Sequence, residues 1–320
     1  MGGGSWGQAL AALLSNKGVE TRLWARGGKR RLTSSKENAD KLRDNHDTIA
    51  LFDNLEQALT GVQWVVAAVP CSAVPQTASA ARDFLGEAVL ISGTKGLHPE
   101  NGLRTSQMWN TFGGMPASHF VALSGPNLAK EIAAGIPTST VVASTDASTA
   151  RRAQELFTTP AFRVYANDDL VGVELGGALK NVVAIAAGIG DGLGFGDNSK
   201  AALMTRAWHE MTRLAVACGA RESTLFGLSG MGDLVATCVS PHSRNRTLGE
   251  MLGRGESLGD AQRDLAHVAE GVPTAMAALK LAREKGIELP VTEQICAVLL
   301  QGKSPREAVA QLMNRQGCSE

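Results

Sequence analysis

Four segments of this 320-residue chain combine residue types that could do chemistry. The first is Glu174-Leu175-Gly176-Gly177-Ala178-Leu179-Lys180-Asn181-Val182, set in a helical pattern over Val171–Ile189 that is otherwise small and aliphatic. A buried ammonium is costly unless it has a partner or a task, so Lys180 is either half of a structural ion pair or a reacting group. The second is Gly230-Met231-Gly232-Asp233-Leu234-Val235-Ala236-Thr237, in which Asp233 is a helix N-cap or a site carboxylate. The third, Ser243-Arg244-Asn245-Arg246, opens a helix and makes an anion site of charged and amide side chains at a positive helix end. The fourth is a pair of strand-to-helix turns. Ser92-Gly93-Thr94-Lys95-Gly96 puts Lys95 just past a strand's carboxyl end, and Leu123-Ser124-Gly125-Pro126-Asn127-Leu128-Ala129-Lys130-Glu131 offers backbone N–H groups.

The chain opens on Gly2-Gly3-Gly4-Ser5-Trp6-Gly7, which fits G-x-G-x-x-G ahead of a helical pattern over Gln8–Lys17. In that motif the glycines let the turn form and let backbone N–H groups approach a pyrophosphate at the helix N-terminus. A helix and a strand follow at βαβ spacing, which strengthens the reading. The motif also asks for a strand before the loop, and only Met1 stands there. Losing five buried apolar side chains from a central strand would cost on the order of 10 kcal/mol. The expectation is therefore a natural start several residues upstream. Cofactor choice is read where the second strand ends, at Leu23-Trp24-Ala25-Arg26. Arg26, with no acidic residue beside it, predicts a grip on a 2′-phosphate and hence NADPH, with NADH possible.

The elements that must position these groups change character along the chain. Short apolar runs at Glu20–Ala25, Val62–Val69, Ala88–Ser92, Phe120–Leu123, Ser139–Ala143 and Phe162–Tyr165 read as strands buried on both faces. Helical patterns at Gln8–Lys17, Asn54–Leu59 and Leu128–Ala134 alternate with them. From about Asn167 the pattern is helical throughout: Val171–Ile189, Ser199–Cys218, Arg246–Leu252, Thr274–Lys285, Val291–Leu300 and Pro305–Met313. The expected fold class is α/β: a Rossmann-like doubly wound sheet over 1–167, its first strand missing, and an all-α domain over 168–320. The two are expected to join directly, with the active site in the crevice between them. Between the second strand and the next helix, Gly27–His46 is polar and basic (Lys29-Arg30-Arg31, Lys36, Lys41, Arg43) and reads as a solvated loop or surface helix.

Composition excludes several classes. Lys+Arg and Asp+Glu balance at 31 each, so no overall field draws in nucleic acid or an anionic membrane. The five cysteines (Cys71, Cys218, Cys238, Cys296, Cys318) form no C-x-x-C pair and read as free thiols in a reducing, cytoplasmic setting. No run reaches the roughly 20 apolar residues of a membrane span. The histidines (His46, His98, His119, His209, His242, His267) make no H-x-x-x-H pair, so no metal site is expected.

At these segments the chain resembles the bacterial type of NAD(P)-dependent glycerol-3-phosphate dehydrogenase. The matching pieces run the whole length in the family's order. They are Gly4-Ser5-Trp6-Gly7, Thr94-Lys95-Gly96, Leu123-Ser124-Gly125-Pro126, Gly172 to Asn181, Gly232-Asp233-Leu234, Ser240 to Arg246, Glu270-Gly271-Val272 and Lys303 to Ala308. The resemblance implies reversible reduction of dihydroxyacetone phosphate to sn-glycerol 3-phosphate for phospholipid synthesis, by a homodimer. It makes Lys180 the proton donor and acceptor. It puts Lys95, Gly125, Asn127, Lys180, Asp233, Ser243, Arg244 and Asn245 on the substrate, with Arg244 on the phosphate. It puts Gly2, Gly4, Ser5, Trp6, Gly7, Arg26, Lys95, Ala129, Arg244, Val268 and Glu270 on the cofactor. Asn127 departs from the family, which usually has a small hydroxyl residue there.

The chemistry of those side chains agrees with the resemblance. Hydride delivery to a ketone carbon builds negative charge on its oxygen, and a lysine in reach polarises that oxygen and protonates it. Lys95 would lower the pKa of Lys180 by like-charge repulsion, and Asp233 would oppose that. A bidentate Arg244 would hold the phosphate and align the ketone. The alternatives are a reductase of another small keto acid or keto phosphate, or a dinucleotide-binding protein without catalysis, damaged by the missing strand.

Overall fold

The structure is a computed structural model and describes residues 1–27, 49–265 and 269–315. Most of the basic stretch, together with Val268, His46, His267 and Cys318, lies outside the described residues. The chain divides into two compact units. One comprises Met1–Lys95 with Arg104–Val173, the other Gly96–Leu103 with Glu174–Glu320.

The first unit is a layered α/β structure. Its strands are β1 (Thr21–Trp24), β2 (Ile49–Phe52), β3 (Trp64–Ala67), β4 (Val89–Ser92), β5 (Phe120–Ser124), β6 (Thr138–Ala143) and β7 (Phe162–Asn167). β1 and β2 pair in parallel, and β3 to β7 form a second sheet in that order. Every residue of β4 and β5 is buried, in keeping with sequences that are apolar up to a terminal serine. Helix α1 (Ser5–Asn16) packs Leu10 and Leu14 onto Ile91, Val121 and Leu123 of that sheet.

Three features differ from the sequence reading. β2 follows the polar stretch and had no counterpart among the expected strands. Helices α3 (Val74–Ala81), α4 (Thr105–Gly113) and α6 (Ala147–Phe157), with the short α2 (Leu55–Leu59) before them, occupy more of this unit than the pattern suggested. β5 and β6 pair antiparallel, Leu123 opposite Val142, a reversal that the doubly wound reading did not specify. The physical reason lies in the connection. Residues 125–137 hold only the five-residue helix α5 (Ala129–Ala133), and a parallel return usually takes a longer crossover helix.

The place that Met1 and Gly2 take is also informative. The Met1 nitrogen donates to the Val66 carbonyl at 2.7 Å, and the Ala68 N–H donates to the Met1 carbonyl at 2.9 Å. On the other side the Gly2 N–H donates to the Trp24 carbonyl at 2.9 Å. Met1 and Gly2 thus bridge β1 and β3, the position that the central first strand takes in such sheets.

The second unit is helical. Its long core helix α7 runs over Leu170–Gly192, beginning at the end of the first unit. This helix is long and apolar enough to cross a membrane, but 89% of its most apolar window is buried inside the protein. Around it come α8 (Asp197–Ala217), α9 (Glu222–Leu225), a π turn at Leu228–Gly232, α10 (Asp233–Val239), α11 (Arg244–Gly253), α12 (Leu258–Asp264), α13 (Gly271–Lys285), α14 (Pro290–Gln301) and α15 (Pro305–Met313). The segment Gly96–Leu103 joins this unit, where Lys280 Nζ donates to the Glu100 carbonyl at 2.6 Å.

Helices α7 and α11 come into backbone contact. A Cβ on Gly188 would lie 2.0 Å from the Arg246 carbonyl oxygen, and one on Gly192 would lie 2.2 Å from that of Glu250. In return, a Cβ on Gly249 would lie 2.0 Å from the Ile185 oxygen and one on Gly253 would lie 2.5 Å from that of Ile189. Each helix therefore carries a Gly-x-x-x-Gly face, and no side chain separates them. Asp191 on α7 seals the crossing, accepting from Arg246 Nε at 2.8 Å and from Lys200 Nζ at 2.9 Å.

Candidate active site

In the second unit the chemistry gathers around Lys180. This residue is 7% exposed, and its partner Asp233 is 2% exposed. Lys180 Nζ donates to Asp233 Oδ1 at 2.8 Å and to Thr237 Oγ1 at 2.5 Å. Thr237 Oγ1 lies 3.2 Å from the same Asp233 oxygen and donates to it. Asp233 and Thr237 sit four residues apart on α10, so one helical face presents both. An ammonium has three N–H groups. Two are used here, and the third has no acceptor among the described residues. Thr237 was not singled out from the sequence, although its i+4 spacing from Asp233 is the signal that could have found it. Neighbouring Cys238 is fully buried, and burial pushes its thiol up to about 12, so it stays protonated.

The anion-binding segment lies at the start of α11. Ser243 accepts from the Arg246 N–H at 3.3 Å and so caps the helix. Arg244 is exposed at the first helical position, its guanidinium without a partner among the described residues. Asn245 is buried and turned inward. Its Nδ2 donates to Asn181 Oδ1 at 2.9 Å, and its Oδ1 accepts from the Gly271 N–H at 2.9 Å. The carboxamide expected on substrate thus ties together the residue after Lys180, the start of α11 and the start of α13. Glu270 immediately precedes α13, and its carbonyl accepts from Thr274 Oγ1 at 2.7 Å.

In the first unit the candidate cofactor residues line the start of α1 and the ends of the strands. A Cβ on Gly7 would fall 1.9 Å from the Gly2 carbonyl oxygen, whereas one on Gly4 would meet nothing within 4 Å. The loop is therefore tight where it folds back and open where a phosphate would lie. No side chain caps α1, and its first turn has no acidic residue. Those free backbone donors fit a pyrophosphate. Ser5 is exposed there, and Trp6 stands over the end of β4, where a Cβ on Gly93 would come within 2.5 Å of its indole nitrogen. Arg26 follows β1 and donates to Gln76 Oε1 at 3.2 Å. Lys95 is half-buried and donates to the Gly125 carbonyl at 2.8 Å. Ala129 begins α5.

A dinucleotide-type loop, strand-end residues of the first unit, and a buried lysine–carboxylate pair in a helical second unit together describe a nicotinamide-dependent dehydrogenase. Comparison with known proteins specifies which. Sequence profiles described as the N-terminus and C-terminus of NAD-dependent glycerol-3-phosphate dehydrogenase match residues 1–150 and 169–310. A glycerol-3-phosphate dehydrogenase (NAD(P)+) of Citrifermentans bemidjiense is 45% identical over 331 positions, covering 98% of this chain and 96% of that protein. Its counterpart in Chlorobium limicola is 43% identical, covering 99% and 97%. Among solved structures, glycerol-3-phosphate dehydrogenase of Coxiella burnetii superposes with a TM-score of 0.89 at 35% identity, covering 98% of this chain and 97% of that one. The chain belongs to the NAD-dependent glycerol-3-phosphate dehydrogenase family.

Proposed function

We propose that this protein reduces dihydroxyacetone phosphate to sn-glycerol 3-phosphate, with Lys180 as the proton donor and the reverse reaction available. The observation that carries the proposal is the third N–H of Lys180. A buried ammonium held by Asp233 and Thr237 keeps one donor for an oxygen that neither supplies. NADPH, when bound, supplies the hydride. Lys180 then polarises the ketone oxygen, stabilises the charge that develops on it and transfers a proton to it. Asp233 holds the ammonium in place and balances its charge. Arg244 and the positive end of the helix that Ser243 caps bind the phosphate, which orients the ketone. Lys95 binds from the turn it shares with Gly125.

The test follows oxidation of NADPH by its near-ultraviolet absorbance with dihydroxyacetone phosphate as acceptor. The intact protein should turn over. Lys180→Ala should lower kcat by roughly a factor of 10³ while leaving the far-ultraviolet circular dichroism unchanged. Wild-type turnover in that variant would sink the role given to Lys180. The preference for NADPH rests on Arg26, so Arg26→Ala should shift the NADPH/NADH ratio of kcat/KM toward NADH. An unchanged ratio would remove Arg26 from the cofactor site.

The same reading makes the protein a cytoplasmic homodimer that feeds phospholipid synthesis. The thiols of Cys238 and Cys296, buried and in no disulfide, support a reducing compartment. Light scattering that gives the mass of a single chain would refute the dimer.

A further inference from the structure

We propose that Asn127 and Thr140 form a lock that positions Lys95, and that Asn127 acts through Thr140 instead of touching the substrate. This inference rests on the functional reading of Lys95. Three observations carry it. First, Lys95 Nζ is fixed by a backbone atom, the Gly125 carbonyl, at 2.8 Å. Displacing that turn displaces this partner of the ammonium. Second, the turn is itself held from below by β6. Thr140 is fully buried, and its Oγ1 lies 3.0 Å from the Ser124 carbonyl and 2.9 Å from Asn127 Oδ1. These two acceptors flank Gly125 in sequence. Gly125 has φ +154°, and a Cβ there would come within 3.0 Å of the Thr140 Cα, so the turn sits directly on this strand position.

Third, Asn127 has little left to offer a ligand. Its Nδ2 is buried and has no hydrogen-bond partner among the described residues, and the same holds for the Ser124 Oγ. A donor closed off from solvent in this way does not line an open binding surface. The Thr140 hydroxyl lies within hydrogen-bond distance of both the Ser124 carbonyl and the Asn127 carboxamide. The turn and the Asn127 side chain therefore depend on the same hydroxyl, and loosening either loosens both.

The test is a double-mutant cycle on the full chain, read as kcat and KM for dihydroxyacetone phosphate. Thr140→Val removes the hydroxyl with little change of shape. It should lower kcat/KM by about tenfold, the scale of one buried hydrogen bond turned into misplacement of a reacting partner. Thr140→Ser should restore most of the loss, a recovery that a general packing role for the threonine would not produce. Asn127→Ala should have a similar effect alone and add nothing in the Thr140→Val background. Full additivity of the two, or a Thr140→Val protein with wild-type kinetics, would overturn the lock. If Thr140→Val does not fold, Asn127→Ala and Thr140→Ser decide: wild-type kinetics in Asn127→Ala, or a Thr140→Ser as impaired as Asn127→Ala, overturns it. Lys95→Ala separates this failure from that of the parent reading. An impaired Lys95→Ala beside a normal Thr140→Val refutes the lock alone. A normal Lys95→Ala refutes the role of Lys95, and the lock with it.

Discussion

Lys180 and Lys95 are held by different means. Lys180 is surrounded by side chains: a carboxylate and a hydroxyl from one face of α10 fix two of its N–H groups. Lys95 is half-buried and donates to a backbone carbonyl. The difference matters for how each site can fail. A side-chain partner can be deleted by one substitution, leaving a buried charge uncompensated. A backbone partner cannot be deleted, only displaced, so the second lysine is vulnerable through the turn that carries it.

The sharpest way to break this comparison is Asp233→Ala. Removing the carboxylate leaves the Lys180 ammonium buried beside Thr237 alone. The expected loss of stability is about 3–5 kcal/mol, measured by urea denaturation, together with loss of turnover. A variant as stable as the parent would mean that water reaches Lys180 and that the pair is not truly enclosed.

A smaller effect is expected from Gly249→Ala, which places a methyl group where only the Ile185 carbonyl fits. It should cost about 1–3 kcal/mol and raise the KM for the phosphate substrate, because α11 must move away from α7 and carries Arg244 with it. Unaltered KM alongside reduced stability would uncouple the helix crossing from substrate binding.

The smallest effect sharpens the contrast between Asp233 and a second buried carboxylate of the same unit. Glu210 accepts from the Val291 and Thr292 N–H groups, at 2.9 Å each, and from Thr292 Oγ1 at 2.7 Å. It thereby caps α14 from a neighbouring helix. Burial pushes its carboxyl above the ordinary value of 4.5, and those hydrogen bonds, with the more distant Arg213, oppose the shift. A carboxyl raised in the folded state favours folding in its protonated form. That contribution is full below the ordinary value and is lost as pH rises through the raised one. The Tm difference between wild type and Glu210→Gln should therefore move in favour of the variant as pH rises across that window. A difference independent of pH would show that Glu210 titrates as it does in the unfolded chain.

Much of this was legible in the sequence, for physical reasons. A lysine in an aliphatic helix and a Ser-Arg-Asn start to another are local patterns, and both fall on the expected elements. The fold class was readable from strands such as Val89–Ser92, apolar at every position but the last. What escaped depended on contacts between distant segments. Thr237 acquires its role only when the helix opening at Asp233 is known, and a π turn ahead of it hides that start from a search for regular periodicity. The reversal between β5 and β6 goes with a five-residue helix in a short connection, and a helical pattern by itself does not tell the direction of the strand that follows. Asn245 reads as a substrate ligand from its place in a motif, and the motif alone does not show that it also donates to Asn181 and accepts from the Gly271 N–H.

The glycine crossing of α7 and α11 also bears on redesign. At these four glycines the carbonyl oxygens of one helix lie against the Cα atoms of the other, so the spacing of Lys180 and Arg244 across the crossing is set by backbone contact and not by side-chain packing. A change in that spacing requires the helices themselves to move. Substitutions at the crossing therefore act on the placement of both residues together.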